Sequence, residues 1–210
     1  MIKQLFQSAI LAGFVALSSS AFAIDTTKPD IMIKELSDDL INTVKADKAI
    51  QGGDQKRVFE LVDTKVMPYV NFQRMTALTV GRYWKQATPE QQGQLQKEFK
   101  TLLVRTYSGA VSQIKDQQVQ LKPFRAEPTD TEVVVQTKVL QKGDPIQLDY
   151  RMEKNGDNWK IFDVNVLGVW LVETYKDSFR QEIGKTGIDG LIKSLVEKNQ
   201  ANEAKTASAK

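Results

Sequence analysis

The sequence predicts an α+β fold, a curved four-stranded antiparallel sheet with about six helices covering one face. Three observations carry that prediction. Ile146, Leu148, Tyr150 and Met152 alternate strictly with Gln147, Asp149, Arg151 and Glu153, the period of a strand with one buried and one wet face. Leu95, Phe99, Leu102, Leu103, Tyr107, Ala110, Val111 and Ile114 fall on one stripe at helical spacing. Between Trp159 and Val196 the period changes at Gly168 from that of a strand to that of a helix. Helices followed by a run of strands and then more helices belong to the α+β class.

Residues 1–23 read as a secretory signal, with Lys3 as the basic start, Ile10 to Leu17 as the apolar run and Ala21-Phe22-Ala23 as the small-x-small cleavage pattern. Ser18 to Ser20 interrupt the run short of the roughly twenty apolar residues of a membrane span, so the product is expected to be soluble after cleavage. Residues 24–198 are expected to form one domain, and 199–210 a small, polar, disordered tail. With 29 Lys and Arg against 26 Asp and Glu, evenly mixed, nothing indicates a nucleic-acid surface. The 210 residues contain no Cys and no His, which excludes Ser-His-Asp and Cys-His catalysis, His-ligated zinc and lipidation at a cysteine. No cofactor or metal motif is present in the sequence.

From Pro29 to about Ile50, the positions Ile33, Leu36, Leu40, Ile41 and Val44 predict an amphipathic helix closed by Gly52-Gly53. Asp54 caps a second helix with Val58, Leu61, Val62 and Val66 on its apolar side, broken at Pro68. Asn71 caps a third, carrying Phe72, Met75 and Leu78 and closed by Gly81. Thr88-Pro89-Glu90-Gln91 combines an N-cap, a proline in the first turn, an acid at the positive helix end and the partner of a capping box. Its helix is expected to reach about Ile114. Strands follow at Val119 to Leu121, at Glu132 to Leu140, from Ile146 and from Trp159. A three-residue loop, Lys154 to Gly156, is expected between the last two, because an odd loop gathers Ile146, Leu148, Tyr150, Phe162 and Val164 on one face. After Gly168, Leu171, Val172, Tyr175, Phe179 and Ile183 form a helical stripe that stops at Gly184. Thr186 and Asp189 then start a last helix through Ile188, Leu191, Ile192, Leu195 and Val196.

The sheet face, the long helix and the stripe after Gly168 all require cover. Packed tightly they make a core, held apart they make a pocket, and periodicity does not separate the two. Tyr83 and Trp84, between Arg82 and Lys85, read either as aromatics that staple a loop or as the rim of an apolar cavity. Asp163, flanked by Phe162 and Val164, is the one acid on an otherwise apolar strand, and its simplest role is to bond neighbouring backbone.

Val66-Met67-Pro68-Tyr69-Val70-Asn71-Phe72, Gly81-Arg82-Tyr83-Trp84, Ala87-Thr88-Pro89-Glu90-Gln91, Phe99 with Leu102-Leu103, Thr106-Tyr107, Asn158-Trp159-Lys160, Gly168-Val169 and Lys185-Thr186-Gly187-Ile188-Asp189-Gly190-Leu191 together resemble the MlaC family. This is the periplasmic phospholipid-binding component of the Mla pathway, also called the toluene-tolerance auxiliary family. The resemblance runs from about Lys28 to Val196. Asn71 departs from the Asp of many relatives, and Val169-Trp170-Leu171 is bulkier than their small-residue version. The resemblance implies a non-enzymatic carrier, without cofactor, whose cargo is a glycerophospholipid held by its acyl chains in an apolar pocket. The partners it implies are an inner-membrane MCE-domain protein of an ATP-binding cassette transporter and an outer-membrane lipoprotein-porin complex, and the role is to maintain outer-membrane lipid asymmetry. On this reading Val133, Val135, Val139, Leu148, Tyr150, Phe162, Val164 and Val166 form one pocket wall. Leu102, Leu103, Tyr107, Val169, Val172 and Tyr175 stand opposite, with Tyr83 and Trp84 at the rim. Two chains fill on the order of 1,000 Å³, the top of the usual pocket range. The competing readings are an enzyme or receptor for a small apolar ligand, with Asp163 or Tyr150 as its polar group, and an envelope adaptor with a filled core.

Overall fold

The computed structural model describes residues 23–208, so the expected signal segment lies outside the described residues except for Ala23. The order of elements is α1 (Pro29–Ala46), α2 (Lys48–Gln51), α3 (Gln55–Leu61), α4 (Phe72–Val80), α5 (Pro89–Ser112), β1 (Gln118–Leu121), β2 (Glu132–Leu140), β3 (Ile146–Asn155), β4 (Asn158–Val166), β5 (Val169–Trp170) and α6 (Leu171–Ser208). The sheet is antiparallel throughout, in the order β1-β2-β3-β4-β5. It therefore has five strands where the sequence predicts four.

Most helix boundaries follow from local chemistry. Thr88 and Gln91 make the reciprocal capping box that starts α5, while Asp54 and Asn71 accept from the backbone N–H of Arg57 and Arg74. The helix expected to run to Ile50 instead breaks at Asp47. That residue is extended, and its carboxylate accepts from the N–H groups of Ala49 and Ile50, capping the one-turn α2. Between α3 and α4 the chain widens into a π turn at Val62–Val66 and tightens into a 3-10 turn at Met67–Tyr69.

The β3–β4 hairpin corrects the expected loop. Asn155 pairs with Asn158, leaving the two-residue turn Gly156-Asp157, with Gly156 at φ 61°. The register then shifts beside Arg151 and Met152: Met152 pairs with Ile161 and Arg151 with Asp163, so Phe162 is the extra residue of a β-bulge. Leu148, Tyr150, Val164 and Val166 still share a face as predicted, but Phe162 does not join them. It is buried beneath the Arg74 guanidinium, 3.8 Å from the ring centroid, on the side of Glu132 and Glu153, both of which Arg74 holds.

Gly168 does not hand a strand directly to a helix. Leu167 and Gly168, at φ 54° and 92°, form a tight turn that folds β5 back onto β4. In α6 the break is at Gly187 (φ 76°), not at Gly184, and Thr186 donates to the carbonyl of Glu182 instead of capping a new helix. Gly190 then packs so closely that a Cβ there would lie 2.2 Å from the Cβ of Thr186. Where composition predicts a disordered tail from residue 199, α6 continues to Ser208: Asn199 is buried and donates to Glu98, and Arg105 pairs with Glu203.

Three apolar clusters fill the interior. The first joins α4, α5 and α6 around Phe99, whose ring centroid lies 5.1 to 5.7 Å from those of Tyr175, Phe179 and Phe72. The second packs Met32, Ile33 and Leu36 of α1 onto Val135, Met152 and Ile161 of the sheet. The third joins Val44, Ile50, Val58 and Leu61 to Val104 of α5. Among the described residues no helix is long and apolar enough to cross a membrane.

Replacing Gly190 by Ala should test the α6 break, because helix propensity and packing give opposite signs there. Propensity alone gives a gain of about 1 kcal/mol, whereas the overlap with Thr186 should produce a net loss of about 1 to 3 kcal/mol in urea unfolding, with an unchanged m-value.

Candidate functional site: an apolar cavity

An apolar cavity of about 190 Å³ lies where the three clusters meet. Val58, Val62 and Val66 of α3 and the widened turn form one wall. Met67 and Val70 form the floor, with Phe72 and Met75 of α4 beside them. Leu103, Val104, Tyr107 and Val111 of α5 stand across, and Val164 of β4 and Leu171 of α6 close the corner. Lys100 contributes its alkyl stem, its ammonium being drawn away to Asp63 at 2.7 Å. Val62, Val66, Met67, Leu103, Tyr107 and Val111 are only half-buried, so the cavity opens to solvent along α5.

Backbone bonding fixes the floor. The Asn71 N–H donates to the carbonyl of Ile161 at 2.8 Å, and Val70 bridges to Ile161, so the turn before α4 docks on β4. The side chain of Asn71 works in both directions: its oxygen accepts from Arg74 N–H at 3.0 Å, and its amide donates to Glu153 Oε1 at 2.6 Å. An aspartate would serve the first bond and set a second carboxylate against Glu153.

The predicted wall divides into four groups, with Phe162 apart from all of them. Leu103, Tyr107 and Val164 line the cavity. Val133, Val135 and Tyr150 pack instead against the cluster under α1, whose own stripe needs the same face. Leu102, Val172 and Tyr175 belong to the α4–α5–α6 cluster around Phe99. Val139, Leu148 and Val166 are half-buried and Val169 is 55% exposed; cross-strand pairing joins Leu148, Val166 and Val169 into an apolar strip that continues from Val164 toward the β4–β5 turn. Phe162 lies on the other side of the bulge. Tyr83 and Trp84 pack against the α4–α5–α6 cluster within the 3-10 turn Gly81–Gln86 and are not among the lining residues. Of the bulky Val169-Trp170-Leu171 run, only Leu171 reaches the cavity, while Trp170 lies 4.0 Å from the Arg151 guanidinium.

Sequence reasoning missed the wall formed by Val58, Val62, Val66 and Val70. The available signal was their spacing of four, which drifts around a regular helix but is held to one side by the wide turn at Val62–Val66. That spacing also continues past Pro68.

The polar candidates are occupied elsewhere. Burial pushes the Tyr150 phenol up to about 12, and its hydroxyl shares hydrogen bonds with Ser37 and Thr137. Asp163 is fully buried, and burial raises its carboxyl pKa against the opposing pull of Val172 N–H, Val164 N–H and Arg151. Burial likewise raises Tyr107, with neighbouring Tyr175 adding to the effect, and raises Tyr175 itself, so both phenols are neutral near pH 7. Among the described residues no group of acids could hold a metal ion.

The model of the MlaC protein family matches residues 34–197. The chain is 24% identical over 177 residues to the intermembrane phospholipid transport system binding protein MlaC of Haemophilus influenzae, covering 82% of this chain and 83% of that protein. It is 23% identical over 181 residues to the toluene tolerance protein ttg2D of Pseudomonas putida, covering 86% and 82%. A solved structure, the phospholipid-binding protein of Ralstonia solanacearum in complex with a phospholipid, superposes with a TM-score of 0.81 at 46% identity, covering 83% of this chain and 98% of that one.

Asn71→Asp should cost about 1 kcal/mol of stability at pH 7, the lost amide bond and the facing carboxylates outweighing the slightly better N-cap. Urea unfolding of the two proteins side by side gives the readout, as a lower midpoint with an unchanged m-value.

Proposed function

The chain belongs to the MlaC family, and from that membership we propose that it is a periplasmic carrier that binds a glycerophospholipid by its acyl chains. On this reading it shuttles the lipid between an inner-membrane MCE-domain protein of an ATP-binding cassette transporter and an outer-membrane lipoprotein-porin complex, maintaining outer-membrane lipid asymmetry. The observation that carries the proposal is the chemistry of the cavity: apart from the stem of Lys100, every lining residue is apolar or aromatic. Such a wall senses chain bulk and offers a head group nothing to bond. The phospholipid-bound relative from Ralstonia solanacearum, of the same fold, supports the same cargo.

Free energy explains why a carrier is required. At about 0.8 kcal/mol per methylene, one chain of about sixteen carbons costs on the order of 12 kcal/mol to hold in water. The cavity of about 190 Å³ is a fraction of the volume of two chains, because facing apolar walls close to van der Waals contact. Loading therefore requires the walls to part or the chains to continue along the strip through Leu148, Val166 and Val169. The enzymatic alternative has less support, since Tyr150 and Asp163 are both bonded within the fold and neither lines the cavity.

Native mass spectrometry of the purified mature protein should show a stoichiometric adduct with the mass of a diacyl glycerophospholipid. A clean protein mass that persists after incubation with phospholipid vesicles would overturn the proposal. Leu103→Trp should fold normally while retaining on the order of tenfold less lipid, since its indole displaces at least two methylenes at about 0.8 kcal/mol each; extraction and lipid quantification give the readout.

A further inference from the structure

The geometry points to Asp163 as a positioning residue for the cavity: its carboxylate, backed by Arg151, pins the start of α6 to β4 and so sets Leu171 against Val164. The inference rests on the carrier reading for its meaning, but its bonding is independent of it. Oδ1 accepts from the N–H of Val164 at 2.9 Å and from the N–H of Val172 at 3.0 Å. Val164 itself lines the cavity, and Val172 directly follows the lining residue Leu171.

The first N–H groups of a helix have no partner within it and form its positive end. In most caps a residue just before the helix supplies the acceptor, which ties the helix only to itself. Trp170 precedes α6 and offers no side-chain oxygen. The acceptor comes instead from nine residues earlier, in the preceding strand, so this cap is also a fastening between two walls. Oδ2 takes the third bond, from Arg151 Nη1 of β3 at 3.1 Å. The same guanidinium lies 4.0 Å from the Trp170 ring centroid. Three elements, β3, β4 and α6, thus bond one carboxylate that is fully buried, and β5 joins them through Trp170 on the Arg151 guanidinium.

A buried carboxylate deprived of its cation, or a helix start deprived of its acceptor, leaves an uncompensated polar group. Weakening either bond frees the first turn of α6 to lift, and Leu171 moves with it. Further along, Phe179 remains held against Phe99, so the displacement is confined to the corner of the cavity. Asp163 and Arg151 accordingly govern how fast cargo leaves, although neither lines the cavity.

The test compares wild type, Asp163→Asn, Arg151→Gln and Arg151→Lys, with Ile33→Val, on the buried face of α1, as a control for modest loss of stability. Each mature protein is loaded with a fluorescent phosphatidylethanolamine, and its release to vesicles of phosphatidylethanolamine and phosphatidylglycerol is timed. Hydrogen exchange at Leu171 to Tyr175 is followed in parallel. Asp163→Asn and Arg151→Gln should release lipid on the order of tenfold faster and exchange faster at the start of α6, the effect of losing one charge-assisted hydrogen bond. Arg151→Lys should recover part of both changes, while Ile33→Val should change neither. Wild-type release and protection in folded Asp163→Asn would overturn the inference, as would equal acceleration in Ile33→Val. If Asp163→Asn does not fold, wild-type behaviour in Arg151→Gln overturns it instead. A wild-type protein that takes up no phospholipid refutes the carrier reading, and the exchange data then decide the pinning of α6 on their own.

Discussion

The register shift in β4 determines which side of the strand meets the helices. A two-residue turn pairs Asn155 with Asn158 and brings Ile161 opposite Met152, on the face that α1 covers. Strict alternation from that point would send Val164 and Val166 outward and turn Asp163 and Asn165 toward the cavity. One extra residue, Phe162, reverses the assignment: Val164 then faces the cavity and Asp163 turns toward Arg151 and Trp170. The cost is an unpaired aromatic residue on the polar side, and Arg74, anchored to Glu132 and Glu153, covers its ring. A bulge can re-aim side chains next to a site without altering strand order, and here it does so for the whole second half of β4.

Much of the fold was legible because the signals were local. The box at Thr88 and Gln91, the caps at Asp54 and Asn71, and the alternation from Ile146 to Met152 each depend on residues within one or two turns or along one strand. Failures came where distant residues compete for the same backbone. Asp47 falls within a helix face by periodicity, yet its carboxylate offers the chain a local alternative that ends α1. The two-residue β5 is too short for any periodic signal, and its turn places Leu167 at a positive φ that sequence statistics assign to Gly or Asn. The tail has a disordered composition but becomes helical where Asn199 and Glu203 find partners on α5.

The site was less legible than the fold for a specific reason. The sheet face, α1, α5 and the start of α6 all present apolar stripes, and the sequence does not rank their mutual affinities. Val135 and Tyr150 are equally suited by pattern to line a cavity or to lie under α1, and the stripe of Met32, Ile33 and Leu36 takes them. The valines spaced by four from Val58 to Val70 become the opposite wall only because the chain widens at Val62–Val66. Asn71 has the local signature of an N-cap, but its amide bond to Glu153 ties the cavity floor to β3 as well.

The three-cluster architecture also bears on how a small cavity can serve a large cargo. Each cluster has its own buried centre, and the cavity lies on the boundary between them, with Val70 and Val164 touching both the aromatic cluster and the one under α1. The ring contacts of Phe99 with Tyr175 and Phe179 and the packing of Met32, Ile33 and Leu36 beneath α1 lie away from this boundary. On the carrier reading, each wall then packs against acyl chains in place of the opposite wall, so dispersion and apolar burial are largely conserved as the space widens. The opening that costs most is the one that breaks polar bonds, and on the cavity's β4–α6 corner those bonds meet at Asp163. On that reading the cavity yields to apolar bulk along its seams and resists where polar bonds fasten its walls, at Asp163 for the β4–α6 corner and at Asn71 for the floor.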